Sequence, residues 1–292
     1  MCHDIPAGIP EDRSPQGHYK LSECTDPYRF VHWDSIDVFI YFGHYTVTVP
    51  PPSWIDIAHK HHVKMLGTLI FEQWDDRDAI GKECKVFLDG QVVACLNLTE
   101  RKNVGNRHFA DQLVNICEHF GFEGYLMNFE VRIQDTTVLM EWLAYLRAQL
   151  HAKIPGAELM WYDSVLHDGT LRWQSMMNEK NYKFFECCDS FFTDYHWEPQ
   201  YLAKTLECFM DNYPDRNTFQ VYYGNDCYGR GTYGGGKYDV YKALEEIHNY
   251  PFSVAIFGQA FTWEMENGFL NQENWQVKEE KFWYGIERAE SQ

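Results

Sequence analysis

Two polar side chains, an amide and a carboxyl, end a short apolar segment at a spacing that suits joint chemistry. Asn128 and Glu130 close the segment 124–130, which follows an amphipathic helical pattern ending at Gly121. Side chains two residues apart on a strand point to the same side, so both could act on one ligand. The same N-x-E pattern recurs at 271–273 in a predicted loop. For an isolated pair, a structural role is favoured, with Asn128 capping the strand and Glu130 in an ion pair.

The chemistry that such a pair would suit is hydrolysis of a sugar that carries a 2-acetamido group. Most glycosidases place two carboxylates beside the bond, but an acetamido sugar can supply its own nucleophile, the amide oxygen. The enzyme then needs one general acid, and Glu130 fits if its surroundings keep it protonated at the working pH. It also needs a group that orients the acetamide, and the side-chain oxygen of Asn128 could accept its N–H.

The composition of the chain excludes several classes of protein. Its 292 residues include 25 basic and 43 acidic side chains, which gives a net charge of −18. This acidic excess argues against nucleic-acid binding, which needs a basic surface, and against docking on anionic lipid. The chain is 45% hydrophobic and 17% aromatic, whereas disordered proteins have too little apolar surface to fold. We therefore expect a large core and neither a nucleic-acid nor a membrane partner.

The cysteines and the lack of sorting signals predict a cytoplasmic protein. The chain contains nine cysteines, an odd number, and no CxxC pair. This indicates reduced thiols, because proteins stabilised by disulfides are short chains with an even number of cysteines. The first residues do not resemble a secretory signal, and no segment reaches the ~20 apolar residues of a membrane helix. The histidines within 59–62 have no second cluster with ligand spacing, so we predict neither a metal nor a cofactor.

Short apolar segments alternate with amphipathic helical patterns along the chain, which is typical of parallel β/α units. The segments are rich in Val, Ile, Phe and Tyr without strict alternation, as expected for strands buried on both faces. They lie at 36–42, 64–71, 124–130, 158–164, 190–195, 219–224 and 253–257. The helical patterns lie at 53–62, 107–120, 136–150, 201–212, 238–249 and 274–288.

This alternation predicts an α/β fold, a closed (β/α)8 barrel of the TIM type. We expect one catalytic barrel domain over residues 1–292 and no accessory domain. Seven strands are clear, whereas a closed barrel of this type needs eight. The missing strand is expected to be short, irregular, or within the stretch 75–104.

Polar and aromatic side chains gather at the carboxyl ends of these segments, where barrel enzymes place their active sites. Flat rings with polar edges suit sugars, whose axial C–H faces are apolar and whose hydroxyls need partners. For any single tryptophan, filling the core is favoured, whereas the whole set indicates a site. The predicted substrate-binding residues are His44, Glu72, Trp74, Trp161, Asp163, Tyr195, Trp197, Asp226, Phe261 and Trp263. Other residues at these ends are Tyr45, Tyr162, Asp194, His196, Asn225, Arg230 and Glu264.

Several blocks of sequence occur in an order that is far more specific than any single motif. The most specific stretch comprises 161–165 (WYDSV), 171–174 (LRWQ), 178–181 (NEKN) and 188–189 (CD). The other blocks are 2–4 (CHD), 11–13 (EDR), 32–42 (HWDSIDVFIYF), 46–51 (TVTVPP), 63–68 (VKMLGT), 122–130 (FEGYLMNFE), 229–231 (GRG) and 253–257 (SVAIF). In this order they resemble the cytosolic endo-β-N-acetylglucosaminidases of glycoside hydrolase family 85.

The resemblance implies roles for five residues. Glu130 would be the general acid and base, and Asn128 would position the acetamide. Tyr162 would contact the reacting acetamido group, whereas Trp173 and Trp197 would line the sugar subsites. The implied reaction is hydrolysis of the GlcNAcβ1-4GlcNAc bond in the N-glycan core, through an oxazolinium intermediate with net retention. The implied partners are N-glycans, glycopeptides or free oligosaccharides with a chitobiose core, and transfer to a sugar acceptor is an implied second reaction.

The sequence departs from the family pattern at several positions that bear on glycan preference. Phe129 precedes and Val131 follows Glu130, where the family commonly has isoleucine and asparagine. Phe261 replaces a common tryptophan, and Asp194 stands where asparagine is usual. None of these changes removes the catalytic pair.

Two alternative functions stay open at this point. A chitinase-like hydrolase would carry D-G-x-D-x-D-x-E, and 123–130 has that spacing, but Leu126 and Asn128 stand where acids belong. A glycan-binding protein that has lost catalysis on a barrel scaffold is the other alternative, because a fold and a pocket can outlive an activity. The presence of Glu130 argues against this second alternative without excluding it.

Overall fold

The fold is a closed barrel of eight parallel strands with helices around it. The computed structural model describes residues 1–3, 28–72, 77–93, 101–103, 105–265 and 272–291. Each strand pairs with the next along the chain, and the first pairs with the last, so the sheet closes on itself. The strands are β1 (Cys2–His3), β2 (Val38–Tyr41), β3 (Lys64–Phe71), β4 (Gly124–Phe129), β5 (Glu158–Tyr162), β6 (Ser190–Phe192), β7 (Val221–Asp226) and β8 (Ser253–Phe257). The predicted (β/α)8 barrel is confirmed.

The strand missing from the sequence pattern is β1, which contains only two residues. Cys2 lies opposite Ile40 of β2 on one side and opposite Phe257 of β8 on the other. The missing strand was expected to be short, irregular, or within residues 75–104. It is short, and it lies outside that stretch. The described part of that stretch forms the helix Arg77–Leu88 and the paired strands Gln91–Val93 and Arg101–Asn103. Two residues are too few to show a hydrophobic period, so the pattern could not reveal β1.

The helices lie between the strands, as the alternating pattern requires. In the described part of the chain they are α1 (Pro52–Lys60), α2 (Arg77–Leu88), α3 (His108–Phe120), α4 (Thr136–Lys153), α5 (Lys183–Cys187), α6 (Pro199–Asn212), α7 (Tyr241–Ile247), α8 (Phe261–Met265) and α9 (Gln272–Glu290). The sequence pattern missed α2, α5 and α8, because α5 and α8 are five residues long and α2 contains Gly81 among many charged residues. None of these helices is both long and apolar enough to cross a membrane.

Two apolar layers hold the barrel together. The inner layer takes a side chain from every strand and therefore fills the barrel: Cys2, Val38, Ile40, Leu66, Leu126, Met160, Tyr162, Phe192, Ala255 and Phe257, with Tyr222 packed against them. The outer layer lies between strands and helices, and it includes Tyr125, Met127 and Phe129 of β4. Because both faces of each strand are buried, the strands read as continuous apolar segments.

Local signals fix the limits of the helices on either side of β4. Helix α3 ends at Gly121, whose φ of 78° is the left-handed conformation that glycine adopts without strain. Helix α4 begins after Asp135, whose carboxylate accepts the backbone N–H groups of Thr137 and Val138. These two limits leave the segment between them to form β4 and the loop that continues from it.

His3 on β1 makes the stability of the barrel depend on pH. Its side chain is 2% exposed, and Nε2 of Gln259 donates to its Nδ1 at 2.5 Å. The rings around it belong to Tyr28, Phe39, Tyr41 and Trp54. Burial lowers the pKa of His3 from 6.5 to about 3, because a charged ring would lose its hydration there.

We expect this buried ring to destabilise the protein in mild acid. Below pH 6.5 His3 binds a proton in the unfolded chain but not in the folded protein. The contribution of His3 to the free energy of unfolding is therefore complete above pH 6.5 and decreases as the pH falls toward 3. The loss between pH 8 and 5 should be about 2 kcal/mol from this group. Urea unfolding across that range should show a flatter profile for His3→Gln than for wild type or for the exposed control His119→Gln. Parallel profiles for all three proteins would contradict the prediction.

Candidate active site

A cavity of about 550 Å³ opens at the carboxyl ends of the barrel strands. This volume lies within the range of small-molecule sites. Eight of its lining residues were predicted from the sequence: His44, Glu72, Asn128, Glu130, Tyr162, Trp173, Tyr195 and Asp226. The others are Phe42, Leu126, Ser175, Asp194, His196, Arg230 and Phe257. Leu126, Tyr162 and Phe257 also belong to the inner layer, so the cavity lies directly on top of the barrel's packed interior.

Asn128 and Glu130 lie side by side in this cavity. Asn128, near the end of β4, is 3% exposed, and its Nδ2 donates to Oε1 of Glu130 at 3.4 Å. The backbone N–H of Glu130 donates to the carbonyl of Phe71, which extends the strand pairing by one residue and fixes this register. The side-chain oxygen of Asn128 is buried and has no hydrogen-bond partner among the described residues. An amide oriented in this way can accept an N–H from a ligand.

Tyr162, the last residue of β5, brings a phenol into the same cavity. Its hydroxyl donates to Oδ1 of Asp194 at 3.1 Å. Burial raises the pKa of Tyr162 well above its usual value, and the nearby carboxylates of Asp194 and Glu130 raise it further. The phenol therefore stays protonated and remains a hydrogen-bond donor at physiological pH.

Two hydrogen-bonded pairs and an aromatic ring also line the cavity. His44 Nδ1 and Glu72 Oε1 lie 2.6 Å apart at the rim. Asp226 is buried and binds Arg230 through two contacts, Nε–Oδ2 at 2.8 Å and Nη2–Oδ1 at 3.2 Å. The ring of Tyr195 has room because position 224 is glycine: a Cβ there would lie 2.8 Å from the ring and 2.4 Å from a backbone carbonyl.

Comparison of the sequence with known proteins identifies a family that this geometry fits. The profile of Glycosyl hydrolase family 85 matches residues 11–292. The chain belongs to this family. It is 39% identical over 290 residues to a cytosolic endo-beta-N-acetylglucosaminidase of Homo sapiens. The aligned region covers 99% of this chain and 35% of that protein. The resemblance seen in the sequence blocks is thus confirmed.

Other family 85 relatives agree with this assignment. The chain is 35% identical over 290 residues to cytosolic endo-beta-N-acetylglucosaminidase 1 of Arabidopsis thaliana, covering 97% of this chain and 39% of that protein. It therefore spans little more than a third of the length of these relatives. The glycoside hydrolase domain Spr0440, Endo-D from Streptococcus pneumoniae R6, has a TM-score of 0.66 at 19% identity over 85% of this chain and 38% of that chain. At this identity the likeness supports the fold.

Two residues of the family 85 block WYDSV point away from the cavity. Trp161 is fully buried and stacks on Phe184 in the outer layer, with ring centroids 4.3 Å apart. Asp163 is also fully buried. The cause is the two-residue period of a strand: Tyr162 faces the inside of the barrel, so the residues before and after it point outward. The prediction that Trp161, Tyr162 and Asp163 all belong to the site does not take this period into account.

Asp163 instead anchors the loop that carries Trp173. Its Oδ2 accepts the backbone N–H groups of Gln174 at 3.0 Å and Ser175 at 2.7 Å, and its Oδ1 accepts Nδ2 of Asn181 at 2.9 Å. These three bonds fold the loop back so that Trp173 reaches the cavity. The structure therefore gives Asp163 a contact with the loop rather than with the cavity.

Three more of the predicted substrate-binding aromatics lie outside the cavity. Trp197 is 2% exposed, and its indole N–H donates to the carbonyl of Gly224 at 2.8 Å. Phe261 is 1% exposed and packs on α9. Trp263 packs against Trp275 at 4.8 Å. These rings fill gaps between helices and strands, where a large apolar side chain is buried most effectively. Trp74 lies outside the described residues.

Several cavity residues were not among the predicted substrate contacts. Asp194, His196 and Arg230 lie at predicted strand ends, Asp194 also departs from the family pattern, and Arg230 belongs to the block 229–231, whereas Ser175 has no sequence signal. Phe42 and Phe257 occupy inward positions one residue beyond β2 and at the end of β8. Counting alternate residues along these strands would have found both phenylalanines.

Proposed function

We propose that this chain is an endo-β-N-acetylglucosaminidase that hydrolyses the GlcNAcβ1-4GlcNAc bond of the N-glycan core. The observation that carries the proposal is the pair of Asn128 and Glu130 in a cavity of sugar-binding size. The buried oxygen of Asn128 needs a donor, and the N–H of a 2-acetamido group is a donor of the right kind. Membership of family 85 supports the same activity.

The reaction proceeds in two steps with the substrate's own acetamide as nucleophile. Asn128 accepts the acetamide N–H and turns the amide oxygen toward the anomeric carbon. Glu130 donates its proton to the glycosidic oxygen as the C–O bond breaks, and the amide oxygen closes an oxazolinium ring. Glu130, now a carboxylate, takes a proton from water as that water opens the ring from the opposite face. The two inversions give net retention, and a sugar hydroxyl in place of water gives transglycosylation.

The aromatic side chains of the cavity supply the binding surface for the sugars. Trp173 and Tyr195 line the cavity together with Phe42 and Phe257. Aromatic rings stack on the apolar C–H side of a pyranose. The His44–Glu72 and Asp226–Arg230 pairs then hydrogen-bond the sugar hydroxyls. Tyr162 contacts the reacting acetamido group.

The proposed setting is the cytosol, with N-glycans, glycopeptides or free oligosaccharides as substrates. The relatives are named cytosolic enzymes. The seven cysteines in the described part of the chain carry free thiols, which suits a reducing compartment.

Incubation with a Man9GlcNAc2-Asn glycopeptide, followed by mass spectrometry, tests the proposed function. We expect the peptide to retain one GlcNAc and the released glycan to be one GlcNAc short. A chitin oligosaccharide of the same core length serves as the matched control substrate. Cleavage of chitin alone would favour the chitinase-like alternative, whereas binding of the glycopeptide without cleavage would favour a glycan-binding protein.

A further inference from the structure

Asp194 forms a hydrogen-bonded centre at the wall of the cavity. It lies two residues beyond β6 and is 4% exposed. Its Oδ1 accepts the hydroxyl of Tyr162 at 3.1 Å, and its Oδ2 accepts the hydroxyl of Ser175 at 3.0 Å. Oδ2 also lies 2.7 Å from Nδ1 of His196. A single carboxylate thus joins Tyr162 and Ser175 to its own segment, which also contains His196.

Ser175 is held in an unusual conformation by two carboxylates. Its φ is 56°, in the left-handed region that residues other than glycine rarely adopt. Its backbone N–H donates to Asp163 and its hydroxyl donates to Asp194. Strain of this kind persists only where surrounding contacts enforce it. Since Ser175 follows Trp173 by two residues, Asp194 helps to fix the loop that brings this indole to the cavity.

The hydroxyl of Tyr162 depends on Asp194 for its place in the site. A hydrogen bond to an ionised acceptor is stronger than one between neutral groups. The Tyr162 ring itself packs against Phe192, with centroids 5.6 Å apart and nearly perpendicular planes. Packing of this kind sets the plane of the ring, and the carboxylate sets the direction of the O–H.

We propose that Asp194 is a positioning residue of the active site, which holds Tyr162 and the Trp173 loop in the arrangement that the reaction requires. This inference rests on the proposed function, because it acts through the residue that contacts the acetamido group. In the proposed mechanism Asp194 takes no part in breaking the bond or in moving the proton. We therefore expect its effect on turnover to act through Tyr162 and the Trp173 loop.

A double-mutant cycle between Asp194 and Tyr162 tests this role. In wild type, Asp194→Ala should lower kcat/KM by roughly 10- to 100-fold, the range for a lost hydrogen bond to a charged group. Most of this loss should fall on kcat. In the Tyr162→Phe background, which already lacks the hydroxyl, the same change should cost at least about 3-fold less. Equal costs in both backgrounds would overturn the role through Tyr162.

Two further variants separate positioning from general destabilisation. Asp194→Asn keeps the size of the side chain but offers only one acceptor oxygen for the hydroxyls of Tyr162 and Ser175, so it should recover part of the lost kcat. If Asp194→Ala fails to fold, the cycle is measured with Asp194→Asn and Tyr162→Phe instead. Asp111→Ala is the matched control, because Asp111 accepts the hydroxyl of Tyr145 at 2.7 Å between α3 and α4. It should leave kcat/KM within about 2-fold of wild type.

The wild-type assay distinguishes failure of this inference from failure of the proposed function. Absence of glycopeptide hydrolysis by wild type would overturn the proposed function and this role together. Hydrolysis by wild type with an equal or greater loss in Asp111→Ala, or with no recovery in Asp194→Asn, would overturn the positioning role alone.

Discussion

Replacement of Glu130 by glutamine should reduce glycopeptide hydrolysis by about 10²- to 10⁴-fold while glycan binding persists. Glutamine has nearly the shape of glutamate and keeps an oxygen at the position that accepts Nδ2 of Asn128, 3.4 Å away in the native protein. It cannot donate a proton to the glycosidic oxygen or take one from water. Steady-state kinetics would measure the loss of kcat, and calorimetry with the intact glycopeptide would measure the retained affinity.

The matched control for this substitution is Glu123→Gln. Glu123 precedes β4 at the opposite end of the barrel, where its carboxylate accepts the backbone N–H of Met65 and pairs with His59. The same chemical change there should leave kcat within about 2-fold of wild type. Unchanged turnover in Glu130→Gln would refute the assignment of Glu130 as the acid and base.

Removal of the Asn128 side chain should separate formation of the intermediate from its breakdown. In Asn128→Ala, the acetamide loses the acceptor that orients it, so hydrolysis should fall by about 10²-fold or more. A preformed sugar oxazoline already contains the closed ring, and Glu130 is still present to activate an acceptor. Transfer from that oxazoline to a GlcNAc acceptor should therefore proceed at a rate close to that of wild type.

The control for Asn128→Ala is Asn225→Ala. Asn225 is a fully buried amide near the end of β7, and its Nδ2 donates to the carbonyl of Tyr223. Its loss should lower the melting temperature without separating the two activities. Equal loss of hydrolysis and of oxazoline transfer in Asn128→Ala would instead assign Asn128 a structural role.

Much of the fold was predictable because buried parallel strands leave a strong pattern. The limits of β3 and β8 match the predicted segments, and β4 differs by one residue. Strand β1, which closes the barrel, could not be predicted because two residues are too few to show a hydrophobic period. This strand is defined by its pairing with β2 and β8, and no local sequence pattern indicates that pairing.

The candidate site was predictable only where position on a strand decides the outcome. Asn128 and Glu130 share a face by spacing alone, and the structure places both in one cavity. Trp161 and Trp197 are predicted site residues because they are aromatic and lie at strand ends, and Trp197 also because of the family resemblance, but the structure buries both in the outer layer. Ser175 could not be predicted, because its position depends on two carboxylates, Asp163 and Asp194, from the loops that follow β5 and β6.

The two-residue strand β1 also has a consequence for biosynthesis. Cys2 pairs with Ile40 near the start of the chain but with Phe257 near its end. A contact between such distant residues has a large loop-closure cost and forms slowly. We therefore expect one edge of the sheet to stay unpaired during translation until β8 has been synthesised. Because exposed edges pair readily with other chains, we expect aggregation of the nascent protein to be favoured in that interval.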